Sequence, residues 1–115
     1  MLRWNIWLVN LDPVIGSEQG RTRPFLIISK NSINQLLPVV NGLPLTSRKH
    51  NRTIYPNEVL LEKGYFGLTQ ESIVMCYQIR TIDKSRLIRK MGTIDDLEKQ
   101  QEIIDALCFQ LGIDI

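Results

Sequence analysis

The chain has 115 residues, 43% of them hydrophobic and 23% charged, with a formal net charge of +2. That is enough for one domain, spanning 1–115, with a modest core, and the composition excludes a disordered chain. The near-neutral balance neither demands nor excludes a nucleic-acid partner, and no apolar run approaches the roughly 20 residues that cross a bilayer.

The first predicted element is a strand over Trp4–Leu11. Trp4, Ile6 and Leu8 share one face; Trp7, Val9 and Leu11 share the other. Two apolar faces predict a strand covered on both sides, by a core and by a partner. No signal-peptide core or cleavage site precedes it, so the expected compartment is the cytoplasm.

A second strand is predicted over Arg23–Ser29. Asn31–Leu37 reads as a short helical turn with Asn31 as its N-cap, ended by Pro38. Val39–Leu45 is a third strand, in which Gly42 suggests a bulge. The polar stretch Thr46–Pro56 has no apolar anchor and is expected to be mobile. Glu58–Leu61 is a short strand, and Lys63–Thr69, with two glycines, is a turn.

Ser72–Ile82 gives the longest strand, with Ile73, Met75, Tyr77 and Ile79 on one face and Val74, Cys76, Gln78 and Arg80 on the other. Arg86–Ile94 is a last strand. Asp95 then caps a helix in which Leu97, Ile103, Ile104, Leu107, Cys108 and Leu111 recur at helical spacing, and Gly112 stops it. Many short strands with one terminal helix predict a mainly β domain, a strongly bent antiparallel sheet or small barrel.

Metal and thiol chemistry find little support. His50 is the only histidine and has no cysteine or second histidine at ligand spacing, so no metal site and no cofactor is expected. Cys76 and Cys108 fit a strand and a helix as small core residues.

The stretch richest in chemistry is Gly16-Ser17-Glu18-Gln19-Gly20-Arg21-Thr22-Arg23-Pro24, between the first two strands. It holds a carboxylate, two guanidiniums, two hydroxyls and an amide. Pro24 pushes Arg23 toward an extended conformation at the threshold of a strand, where a rigid element can aim it. With Arg48, Lys49 and Arg52, the two arginines form a candidate basic surface split over two loops. Each of these motifs taken alone has an ordinary structural explanation.

Taken in order, Leu11-Asp12-Pro13, the Gly-Ser-Glu-Gln-Gly loop, Arg23-Pro24, Pro44-Leu45-Thr46-Ser47 and Gln78-Ile79-Arg80-Thr81-Ile82-Asp83-Lys84 form a pattern. It resembles the MazF/PemK family of toxin ribonucleases over nearly the whole chain. The resemblance implies the SH3-like barrel shared by MazF/PemK and CcdB-type toxins. It implies a homodimer, a cognate antitoxin that wraps it, and metal-independent cleavage of single-stranded RNA. It also implies a catalytic pair at Arg23 and Thr46, with Arg23 as general acid/base.

Side-chain chemistry favours an electrostatic role for Arg23, because a guanidinium keeps its proton at ordinary pH while its forked donors match phosphate oxygens. A carboxylate is the better base, which makes Glu18 the third catalytic candidate. Ser17, Gln19, Ser47, Arg48, Gln78 and Arg80 are candidate RNA contacts by motif position and polarity. Arg80 is equally suited to phosphate or to an ion pair with Asp83. Two other readings stand beside this one. One is a CcdB-like toxin that binds DNA gyrase without catalysis, although both tryptophans lie far from the C-terminus. The other is an RNA-binding module without chemistry.

Overall fold

Seven antiparallel strands form one bent sheet in the computed structural model, which describes residues 1–114. They are β1 (Asn5–Asn10), β2 (Thr22–Ile27), β3 (Val39–Ser47), β4 (Glu58–Leu61), β5 (Ser72–Met75), β6 (Arg80–Asp83) and β7 (Leu87–Thr93). Two helices, α1 (Asn31–Leu36) and α2 (Leu97–Leu111), complete the domain. The strand order is β4-β5-β3-β2-β1-β7, with β6 also on β3. The sheet has the strand content expected of the small barrel, but it does not close, and β4, β6 and β7 each pair on one side only.

β1 starts one residue later than expected because Trp4 adopts a left-handed φ of 76°. Its two apolar faces meet two different cores. Ile6 joins one with Leu26, Leu43, Leu45, Val74 and Ile103. Val9 joins the other with Leu11, Phe25, Ile27, Val40 and Ile82, and Trp7 packs against it. The chain itself therefore covers much of both sides of this strand, and its apolar character does not by itself require a partner.

β3 is the hub. Its first half pairs with β2 on one side and β6 on the other, and its second half pairs with β5. Gly42 is regularly paired with Ile27 and Arg80, so it marks no bulge. It is glycine because the Phe25 ring and the Leu26 carbonyl occupy the space a Cβ would need.

The long strand expected over Ser72–Ile82 is broken by a 3-10 turn at Cys76–Gln78. Leu45 faces Val74 while Gly42 faces Arg80, so β3 advances three residues where its partner advances six. The alternating pattern runs on through the break because Cys76 still fills the core and burial there pushes its thiol pKa up to about 12. Cys108 is half-buried.

α1 is capped at Lys30, not at Asn31, and Lys30 supplies no side-chain bond. The Asn31 Oδ1 instead accepts from the Arg3 backbone. α2 is capped by Asp96 and not Asp95: its Oδ1 accepts from the amides of Glu98 and Lys99 at 2.9 and 3.3 Å. Gly112, with φ 68°, ends the helix as expected. Ile103 and Ala106 press α2 onto the core, while Leu97 is 78% exposed and Leu111 is 50% exposed, outside the expected stripe.

Thr46 and Ser47, expected in the polar loop, instead extend β3 against β5, and the rest of the Thr46–Pro56 segment is tied down by charge. Arg52 grips the buried Glu58 carboxylate through two bonds of 2.9 and 2.7 Å. Arg48 bonds Glu71 at 3.3 Å and the Arg52 carbonyl at 3.0 Å. These ties set the course of the segment, which composition alone does not show.

Candidate active site

The β2–β3 register puts Arg23 and Thr46 together. Phe25 faces Pro44, and counting two residues outward on each strand reaches Arg23 and Thr46 on the same side of the sheet. The Arg23 Nη1 donates to Thr46 Oγ1 at 3.3 Å, and its Nε donates to the Gly20 carbonyl at 3.0 Å. Both side chains are half-buried. Of the five guanidinium N–H groups two are thus engaged, leaving three to meet an anion.

The β1–β2 loop around this pair has a definite shape but little packing. After the buried Leu11, none of residues 12–24 is buried, and Ile15 is 82% exposed. Polar bonds set its course instead. The Asp12 carboxylate accepts from the Arg21 amide at 2.7 Å, where Arg21 takes a left-handed φ of 63°. A Cβ on Gly20 would lie 2.6 Å from Asp12 Oδ1 and 2.9 Å from Val14, so the loop closes tightly there. Arg86 donates to the carbonyls of Asn10 and Asp12 from outside.

Glu18 is exposed, and its Oε1 accepts from the Ile15 amide at 2.7 Å. Among the described residues its hydrogen bond thus shapes its own loop and does not reach Arg23 or Thr46. Ser17 and Gln19 enter through backbone carbonyls, which accept from Gln78 Nε2 at 3.2 Å and Arg80 Nη1 at 3.4 Å. The Gln19 side-chain oxygen is buried without a protein partner. Arg80 therefore does not make the expected pair with Asp83, which instead accepts from the Ser85 amide, and the Ser85 bonds hold the Asp83 carboxyl below the usual range.

Ser47 Oγ donates to Gln70 at 2.7 Å. Arg48, engaged by Glu71 and the Arg52 carbonyl, supports its loop more than it extends the basic surface. The Arg52 bonds hold the Glu58 carboxyl below its ordinary value. Burial, and then the Glu58 charge, raises the neighbouring Tyr77 phenol. Among the described residues no three of His, Cys, Asp and Glu gather at ligand spacing.

Sequence reading missed two contributors. Gly20 matters through its carbonyl, which no side-chain pattern advertises. Asp12 sits inside a quoted motif, but its partner Arg21 is nine residues away and becomes visible only in the folded loop.

Comparison with known proteins agrees with the geometry. Residues 2–111 match the family model described as PemK-like, MazF-like toxin of type II toxin–antitoxin system. A protein of Staphylococcus saprophyticus named Endoribonuclease MazF is 37% identical over 113 residues, covering 98% of this chain and 92% of that one. The MazF crystal structure from Deinococcus radiodurans superposes with a TM-score of 0.82 at 26% identity, over 97% of this chain and 96% of that one. A MazE–MazF crystal structure from the same organism gives 0.73 at 26% identity, over 99% and 97%.

Proposed function

This chain belongs to the PemK-like, MazF-like toxin family of type II toxin–antitoxin systems, and on that premise we propose that it is a sequence-specific, metal-independent endoribonuclease acting on single-stranded mRNA. The hydrogen-bonded pair of Arg23 and Thr46 carries the reading. It offers a preorganised cationic fork and a hydroxyl on one patch, which is what a phosphodiester requires.

In the reaction the RNA 2′-oxygen attacks the adjacent phosphorus. The O2′–P bond forms, the P–O5′ bond breaks, and the products are a 2′,3′-cyclic phosphate and a 5′-hydroxyl. Arg23 neutralises the charge that builds on the phosphoryl oxygens with its three free N–H groups. Thr46 accepts from Arg23, which leaves its own hydroxyl proton to donate to the same phosphate. Glu18 takes the 2′-proton once the substrate is bound, and solvent water protonates the departing 5′-oxygen as the P–O5′ bond breaks. The Glu18 carboxylate is exposed and bonded to the Ile15 amide through Oε1, which leaves Oε2 to take the proton.

Ser17 and Ser47 supply hydroxyls for base edges beside this centre. Gln19 and Arg48 remain candidate RNA contacts at its margin, whereas the bonds of Gln78 and Arg80 to the Ser17 and Gln19 carbonyls open a second role for those two. The chain works as a homodimer with RNA across the subunit interface, in the cytoplasm, and a cognate antitoxin blocks that groove. The family description and the MazE–MazF assembly of D. radiodurans support the antitoxin. The described helices contain none long and apolar enough to cross a membrane. The ribonuclease relative favours RNA cleavage over gyrase binding.

The test is incubation of purified protein with a long unstructured RNA in EDTA, beside Arg23→Ala and Thr46→Ala. Cuts at a short recurring sequence, with cyclic-phosphate ends and abolished in both variants, are expected. A folded wild-type protein that leaves the RNA intact overturns the reading.

A further inference from the structure

Arg23 is aimed by a loop that cannot hold itself in place. Strand β2 holds its backbone and Thr46 meets its Nη1, while its Nε donates to the Gly20 carbonyl, so the orientation of the guanidinium depends on where residue 20 lies. No residue from 12 to 24 is buried as a whole, and the one large aliphatic residue at the loop's apex, Ile15, is 82% exposed. The internal bonds, Asp12 to Arg21 and Glu18 to Ile15, fix the shape of the loop but not its distance from the body of the domain.

Arg86 ties the start of the loop through the Asn10 and Asp12 carbonyls, and two further side chains reach its far part, next to Gly20. Gln78 donates to the Ser17 carbonyl and Arg80 to the Gln19 carbonyl, each across 61 residues of sequence. Both arise where β5 is broken and restarted as β6. The 3-10 turn ends at Gln78, and Arg80 is the first residue of β6, facing Gly42 across the hub strand. The Arg80 tie falls on the carbonyl immediately before that of Gly20.

We propose that Arg80, seconded by Gln78, is a positioning residue that clamps the Ser17–Gln19 carbonyls and thereby sets the Gly20 carbonyl that orients Arg23. It acts on cleavage through Arg23 and not through RNA. The proposal rests on Arg23 being catalytic. A guanidinium suits the task because its charge strengthens a hydrogen bond to a carbonyl, and a misplacement of about 1 Å in a catalytic group can cost about a hundredfold in rate.

The experiment compares Arg80→Met, Arg80→Lys, Gln78→Ala and Arg23→Ala in single-turnover cleavage of an oligoribonucleotide containing a mapped site. RNA affinity is measured across a salt series, and the Arg23 Nε–H signal is followed by NMR without RNA. Arg80→Met is expected to lower the rate at least about tenfold while affinity and its salt slope stay unchanged. Its Arg23 Nε–H should lose protection from solvent exchange. Arg80→Lys should recover part of both, and adding Arg80→Met to Arg23→Ala should slow cleavage no further.

Weaker binding with a salt slope reduced by about one unit would make Arg80 a phosphate contact and overturn the proposal. An unchanged Nε–H signal in Arg80→Met would overturn it even if cleavage slowed. Failure of the underlying reading shows separately, as Arg23→Ala cleaving at the wild-type rate.

Discussion

The Arg23 guanidinium donates to the Thr46 hydroxyl over 3.3 Å, and each residue lies two positions outward from the paired Phe25 and Pro44. The register of β2 against β3 thus places the two groups. If the hydroxyl acts on the phosphate, Thr46→Ser will stay within about threefold of the wild-type rate. Thr46→Val, nearly identical in shape, will lose about a hundredfold in rate with its melting temperature little changed. Single-turnover cleavage and thermal denaturation of both variants check this, and equal rates would remove the hydroxyl from the chemistry.

Glu18 has two separable parts to play, since its Oε1 accepts from the Ile15 amide while the group carries a charge. Glu18→Gln keeps an acceptor oxygen and removes the base. It should slow cleavage by about a hundredfold with RNA affinity within about twofold. A wild-type rate in Glu18→Gln would exclude Glu18 from the mechanism and leave it as a loop-shaping residue.

Gly42 is closed to any side chain by the Phe25 ring and the Leu26 carbonyl. Gly42→Ala forces the ring aside in a fully buried cluster, at a cost of about 1–3 kcal/mol. Chemical denaturation should report that loss. Pairing Gly42→Ala with Phe25→Leu, which vacates the space, should recover part of it.

The Arg52–Glu58 pair ties the β3–β4 loop to β4 and should shape stability at low pH. The Glu58 carboxyl is held below its ordinary value, first by the Arg52 bonds. A depressed carboxyl contributes stability that is present above its unfolded value and is lost as pH falls through the folded value. Acid denaturation of the wild type should therefore include this contribution at and below the ordinary carboxylate range. In Arg52→Met that component should disappear. At neutral pH the same variant should lose about 2 kcal/mol, less than a fully buried pair, because the Arg52 side chain is 36% exposed.

Much of the fold was legible because its signals are local. Apolar patterning reported β1, β4 and all of β3 but its last two residues, Thr46 and Ser47, and helical spacing with Gly112 reported α2. What failed did so for identifiable reasons. Asp95 and Asp96 are adjacent equivalents to a reader of sequence, and only the start of α2 selects Asp96. The 3-10 turn at Cys76–Gln78 hid inside a pattern that alternates straight through it.

Local sequence was enough for the chemical content of the site: which loop carries the charges, that Arg23 stands at a strand threshold beside Pro24, and that Thr46 lies near the end of an apolar strand. These follow from residue type and neighbours along the chain. The tertiary structure alone decided that Arg23 meets Thr46, that Gly42 lies beneath Phe25, that β3 exchanges β6 for β5 along its length, and that Gln78 and Arg80 reach the carbonyls of Ser17 and Gln19. Periodicity says which side of a strand is apolar. It does not say which distant strand lies opposite or in what register, and those pairings set every contact that aims the catalytic loop.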